Sequence, residues 1–268
     1  MTNLLKRATS GFIYAVLFIT AILYSKESYI FLISLFGFIS IREFLNLLKF
    51  NNIIIYMLFI GLIYLPFSSL DSSVLIDVLL VLSLSGSIQL LVNLFIKKKN
   101  YPSSTIQKLD ISIRYLLLSF AFLILLPFIN GGYEASVILS LIIFIWVNDS
   151  FAFFVGKNLG KRKLFESVSP KKTVEGFLAG VFFSAIGSYI IFKLTDNLLF
   201  SKWLILSVIV SVFGTIGDLI ESKYKRQAEV KDSGTLIPGH GGLLDRLDSA
   251  IFVAPFIYLF LRILNYVS

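Results

Sequence analysis

The sequence predicts an all-α, polytopic integral membrane protein, and three observations carry that reading. Of 268 residues, 57% are hydrophobic and only 15% are charged, against about 25% charged in soluble domains. Apolar runs long enough to cross roughly 30 Å of hydrocarbon recur along the chain, giving a mean hydropathy of +0.87. These runs lack the alternation of a membrane barrel, and an isolated strand cannot satisfy its backbone in lipid, so each is expected to be a helix.

Taken in order, about nine spans are expected, at residues 10–25, 29–48, 53–67, 74–96, 111–130, 135–155, 174–194, 203–220 and 249–266. The first and third are short, so they tilt little, extend by a turn or lie partly in the interface. Lys6 and Arg7 precede the first span as in a signal peptide, but no convincing small-x-small cleavage site follows, and it is read as an anchor. Residues 1–134 hold about five spans, whereas 135–268 combine spans with polar connections at 156–173 and 221–248. The chain has no cysteine, which excludes a disulfide framework, a thiolate nucleophile and Cys-ligated zinc.

Lysine and arginine set the expected orientation. The N-terminus and the even-numbered connections carry twenty of them, against three (Lys26, Lys193 and Lys202) on the other side, with Arg262 inside the last span. The positive-inside rule puts the N-terminus and the polar connections in the cytoplasm, and nine spans leave the C-terminus outside. The formal charge of +8 is thus mainly a topological signal, and the Lys97-Lys98-Lys99 run most simply marks topology too, with anionic lipid as a minor reading. Nucleic acid is a poor partner, because no basic patch sits on a fold of a known reader type.

Two of the cytoplasmic connections hold the chemistry. Asp149 lies within the sixth span, where a carboxylate is expensive unless it faces a wet cavity or a cation. After it come Gly156 to Lys163 and then Ser169-Pro170-Lys171-Lys172-Thr173-Val174-Glu175-Gly176. Ser169 or Thr173 can cap the following helix, whose free N–H groups together with the lysines can hold an anion. Singly, those lysines are read equally well as markers of the inner face.

The second connection reads Gly217-Asp218-Leu219-Ile220-Glu221-Ser222 and runs to Asp248. Asp218 and Ser222 are four apart, as are Glu221 and Lys225, so these polar groups stack if the eighth helix continues. Asp245 and Asp248, three apart, share one face of the helix that starts after Gly242, near a terminus whose dipole favours negative charge. Capping explains one aspartate there, but not the cluster of Asp218, Asp245, Asp248, Arg246, Lys225 and Arg226. Hard oxygen donors without cysteine or a histidine cluster suit magnesium, and magnesium with basic residues suits phosphate. Such a site can clamp a nucleotide's phosphates and orient an in-line displacement. The Walker pattern is absent, which argues against an ordinary ATPase. His240, the only histidine, either shapes the turn or acts as acid or base, and both readings stay open.

Residues 222–248 read Ser-x-x-Lys-Arg-x4-Lys-Asp-x-Gly-x3-Pro-x-His-Gly-Gly-x-x-Asp-Arg-x-Asp, and in this they resemble the phosphatidate cytidylyltransferases, also called CDP-diacylglycerol synthases. Asn148 to Phe153 with Gly156, and Ser169 to Gly176, are similar to motifs of that family, and Arg42-Glu43-Phe44 is a weak further likeness. Tyr224, Ser150 and Phe153 depart from the usual family residues without removing a charge. The resemblance implies transfer from CTP to phosphatidic acid, giving CDP-diacylglycerol and pyrophosphate in phospholipid biosynthesis. It also implies a polar funnel enclosed by the last four or five spans, in a bacterial-type inner or plasma membrane. The implied catalytic residues are Asp218, Asp245, Asp248, Arg246, Lys225, Arg226 and His240, and the implied substrate-binding residues are Lys171, Lys172, Lys231, Ser169, Asp149, Asp232, Gly241 and Gly242. Magnesium is expected on Asp218, Asp245 and Asp248 with Asp149 in support, beside a second cation for which a monovalent ion is an option. A homodimer is a further implication. The rival reading is a small ion-coupled transporter, which would show internal repetition or helices broken near the midplane. A phosphotransferase that consumes CDP-lipid would need an Asp-Gly-x2-Ala-Arg pattern, which is absent.

Overall fold

A computed structural model describes residues 3–67, 73–96, 101–195, 198–237, 239 and 241–267. His240 and the Lys97-Lys98-Lys99 run lie outside the described residues. Among the described residues the helices are α1 (Asn3–Tyr24), α2 (Lys26–Leu47), α3 (Ile53–Ile63), α4 (Ser73–Phe95), α5 (Thr105–Ile111), α6 (Leu118–Leu125), α7 (Ala135–Leu159), α8 (Val174–Leu194), α9 (Phe200–Gln227) and α10 (Leu244–Val267). A π-helical turn at Ser112–Leu117 joins α5 to α6, so Thr105–Phe128 forms one apolar rod. Among the described residues, seven helices are long and apolar enough to cross a membrane. The short segments expected first and third are the shorter apolar helices Thr9–Tyr24 and Ile53–Phe67.

Two differences from the sequence reading bear on the site. The connections expected at 156–173 and 221–248 are partly helical: α7 runs to Leu159, α9 to Gln227, and α10 already begins at Leu244. The polar stack continues α9 beyond its apolar run, with Ser222 Oγ donating to Asp218 Oδ1 at 3.1 Å and Lys225 Nζ donating to Glu221 Oε2 at 2.6 Å. The all-α bundle also carries an antiparallel hairpin of β1 (Lys163–Phe165) and β2 (Ser169–Thr173), pairing Lys163 with Thr173 and Phe165 with Ser169.

The Thr105–Phe128 rod is the bundle's centre, with 83% of its apolar window buried against 22% for α8 at the periphery. Phe44 of α2 meets Tyr115 and Tyr224 edge-on at 5.8 and 5.4 Å, and Tyr115 in turn meets Phe252. One apolar core therefore joins the N-terminal helices to α9 and α10. Around that core, small residues let the polar helices approach. Buried Gly176, Gly180, Ser184 and Ser188 form a four-residue stripe on α8, the close-packing pattern expected where lipid removes the hydrophobic drive between helices. On α9, a Cβ at Gly217 would lie 2.6 Å from Phe252 Cβ and 2.8 Å from the Asp248 carbonyl.

Candidate active site

Asp218, Glu221 and Asp248 bring carboxylate oxygens within 4.8 Å of one another, two from consecutive turns of α9 and one from α10. The closeness of α9 and α10 at Gly217 makes this convergence geometrically allowed. Glu221 is 1% exposed, and its Oε1 has no hydrogen-bond partner among the described residues. An orphaned carboxylate oxygen facing two further carboxylates is a donor set in want of a hard cation.

Two lysines are interleaved with these acids. Lys172 of β2 forms an ion pair with Asp218. Burial works against the lysine's charge, but the neighbouring Asp218 outweighs it and lifts the Lys172 pKa above the ordinary lysine value. Buried Lys225 lies 2.6 Å from both Glu221 Oε2 and Asp245 Oδ1, which ties α9 to α10. Four carboxylates thus meet two ammonium groups, with Arg246 beside Asp245 and Asp248.

Asp245 stands in a different role from the trio. Besides Lys225, it accepts from Ser233 N at 2.9 Å, Ser233 Oγ at 3.0 Å and Gly242 N at 2.7 Å. It therefore ties the Gly-rich loop to the first turn of α10. That loop closes on itself through paired bonds between Ile237 and Gly241. Gly239 and Gly241 hold φ values of +79° and +92°, where a side chain is strained. Gly241 also abuts Asp232 and Asp245.

Two cavities meet at Asp149. The larger, about 700 Å³, is lined by Asn148, Asp149, Lys157, Lys163, Lys171, Lys172, Thr215 and Asp218 among others. The smaller, about 320 Å³, is lined by Gly11, Tyr14 and Ala15 of α1, Trp146 and Asp149 of α7, and Asp245, Arg246 and Asp248 of α10. Asn148 Nδ2 donates to Asp149 Oδ1 at 3.2 Å, orienting the carboxylate at the junction. A third hollow of about 480 Å³ gathers Lys231, Asp232, Gly241 and Arg246 at the loop.

The hairpin carries Lys171 and Lys172 on β2. Thr173 ends β2 and caps α8, accepting from Gly176 N at 3.1 Å, so the cap falls to Thr173, and Ser169 pairs within the strand instead. Glu175 accepts from the Lys161 and Arg162 amides at 3.0 and 3.1 Å and from Arg162 Nε at 3.2 Å. Arg226 is exposed and turns its guanidinium to the carbonyls of Val168 and Val230. The structure thus gathers Asp149, Lys171, Lys172, Asp218, Lys225, Asp245, Arg246 and Asp248 around joined cavities. Lys231 lines the hollow at the loop, Arg226 is held by the carbonyls of Val168 and Val230, Ser169 pairs with Phe165, and Gly242 donates its amide to Asp245.

Sequence reasoning left two residues out of the site. Glu221 was legible as the i+3 neighbour of Asp218. Glu43 of α2, buried at 7% exposure, accepts from Leu243 N at 3.1 Å, Leu244 N at 2.8 Å and Ser233 Oγ at 3.0 Å. Only the weak Arg42-Glu43-Phe44 likeness pointed to it.

Comparison with known proteins follows the same line. The cytidylyltransferase family model matches residues 5–264. The phosphatidate cytidylyltransferase of Bacillus subtilis strain 168 is 32% identical over 275 residues, covering 99% of this chain and 100% of the relative. That of Staphylococcus saprophyticus is 36% identical over 232 residues, covering 85% and 87%. In Staphylococcus aureus strain COL the identity is 44% over 126 residues, covering 46% and 48%.

Proposed function

The chain belongs to the cytidylyltransferase family, and from that premise we propose that it transfers the cytidylyl group of CTP to phosphatidic acid, giving CDP-diacylglycerol and pyrophosphate. The observation that carries this reading is the joined pair of cavities, with interleaved carboxylates and lysines at their meeting point, inside a helical membrane protein. The relatives lend no support to the transporter reading.

In this reading the larger, lysine-lined cavity takes the triphosphate, and its size falls within the usual range for ligand sites. The smaller takes the lipid phosphate beside Arg246. The phosphomonoester is already largely ionised near neutral pH, so no protein nucleophile is required. One of its oxygens attacks the α-phosphorus. The bond from that phosphorus to the oxygen bridging the β-phosphate breaks, and pyrophosphate leaves with the electron pair. Lys171 and Lys172 neutralise the phosphates, and Arg246 orients the lipid phosphate. Lys225 fixes the spacing of Glu221 and Asp245, and Asp149 lines the junction where the two phosphates meet.

Asp218, Glu221 and Asp248 are the residues that would hold magnesium, because their oxygens converge and one lacks any other partner. Magnesium there would neutralise charge developing on the phosphates. Asp245, expected as a further ligand, is assigned here to holding the loop and Lys225. A second cation, a homodimer and a cytoplasmic active site remain part of the reading through family resemblance and the basic inner face.

The test is pyrophosphate release by the purified protein in detergent, with phosphatidic acid, CTP and magnesium each omitted in turn and ATP replacing CTP. Release that needs all three, prefers CTP and disappears in Asp218→Asn is the expected result. No release from monodisperse wild-type protein across several phosphatidic acids would overturn the reading.

A further inference from the structure

We propose that Glu43, in the N-terminal helices and remote from the motif residues in sequence, is a positioning residue for the transfer. The proposal rests on the function proposed above. Its carboxylate accepts the amides of Leu243 and Leu244, which open α10, and the hydroxyl of Ser233 in the Gly-rich loop. A helix start is left with unpaired N–H groups and a partial positive charge. At the start of α10, two backbone amides and the positive end of the helix are met by a side chain arriving from α2.

The surroundings are shaped to admit this carboxylate. A Cβ on Gly242 would lie 2.6 Å from Glu43 Oε2, and one on Gly234 would lie 2.9 Å from Glu43 Cδ. The two glycines therefore leave the space that the acid fills. Next to it, Phe44 packs against Tyr115 and Tyr224 and holds this part of α2 in the core. Ser233 lies 3.0 Å from both Glu43 Oε2 and Asp245 Oδ2, and with one hydroxyl proton it serves only one of them at a time. Glu43 and Asp245 thus clamp the loop from opposite ends of the chain. The residues placed by this clamp, Arg246 and Asp248, face the cavity beside Asp149. Glu43 itself does not line that cavity; it acts by fixing where the first turn of α10 begins.

The experiment compares wild type, Glu43→Gln and Glu43→Asp in detergent by turnover and by amide hydrogen–deuterium exchange. Glutamine keeps the shape but turns an N–H₂ group toward N–H donors, whereas aspartate keeps the charge on a shorter arm. Glu43→Gln is expected to lower kcat by on the order of 10- to 100-fold, the rate equivalent of one lost charge-assisted hydrogen bond. The KM for CTP should stay near wild type, because the lysine-lined cavity is untouched. Exchange should quicken within residues 233–247 and not elsewhere, and Glu43→Asp should recover part of both effects. Should Glu43→Gln not fold, Ser233→Ala answers the same question, with a smaller loosening of the same segment expected. Unchanged exchange in 233–247, or faster exchange spread evenly over all helices with kcat per folded molecule unchanged, overturns the proposal. A wild-type protein without activity would refute the functional reading, while the exchange comparison would still decide the role of Glu43.

Discussion

Replacing Lys225 by methionine tests the electrostatic core of the site most directly. The substitution keeps an apolar stem of similar length and removes the ammonium that lies 2.6 Å from Glu221 Oε2 and 2.6 Å from Asp245 Oδ1. Each charge-assisted hydrogen bond contributes about 1.5–3 kcal/mol, and stripping one partner from a buried ion pair costs about 3–5 kcal/mol. Because Glu221 and Asp245 stay behind buried and without this partner, the loss belongs at roughly 3–5 kcal/mol, shared between stability and rate. If most of it falls on the positions of Glu221 and Asp245, turnover drops by on the order of 100-fold or more. Two readouts check this: pyrophosphate release, and thermal unfolding in detergent at increasing magnesium. The uncovered carboxylates should bind cation more readily, so the loss in Tm should shrink as magnesium rises. Wild-type turnover together with a wild-type Tm would refute the reasoning, since it would mean that neither contact matters.

Two further outcomes follow from the same geometry. Glu221→Gln removes the negative charge and one of the two acceptor oxygens of a fully buried donor, and is expected to raise the magnesium concentration giving half-maximal turnover at least several-fold; an unchanged magnesium titration would remove Glu221 from the ion site. Gly217→Ala puts a methyl group against Phe252 and the Asp248 carbonyl, and forced overpacking of this kind costs about 1–3 kcal/mol, so both Tm and turnover should fall; Gly187→Ala, whose added methyl meets nothing within 4 Å, is the control and should match wild type.

The spans were legible in the sequence because lipid leaves an apolar run little choice but helix, and residues 174–194 form α8 with the same ends. Charged segments were harder to read. Hydropathy stops α9 near residue 220, whereas the Asp218–Ser222 and Glu221–Lys225 contacts carry it to Gln227. Glu221 was paired with Lys225 in the sequence but not counted as an ion ligand, because that value depends on lying one turn after Asp218 and on the approach of α10. The i, i+3 spacing of Asp245 and Asp248 was read as one shared face, yet Asp245 at the helix start bends back to its own loop while Asp248 one turn later reaches α9. Glu43 left almost no local signal, because two of its three bonds go to backbone amides about 200 residues away, and no side-chain pattern encodes that. The hairpin escaped notice because its strands are short and rich in lysine.

The junction of β2 and α8 also exposes the site to its surroundings. Thr173 ends the strand that carries Lys171 and Lys172 and caps the helix that follows, with no linker between them. That helix is the least enclosed of the long spans, so its angle in the bilayer depends on hydrocarbon thickness as well as on protein packing. Because Thr173 belongs to both elements, the placement of Lys171 and Lys172 follows directly from where α8 begins.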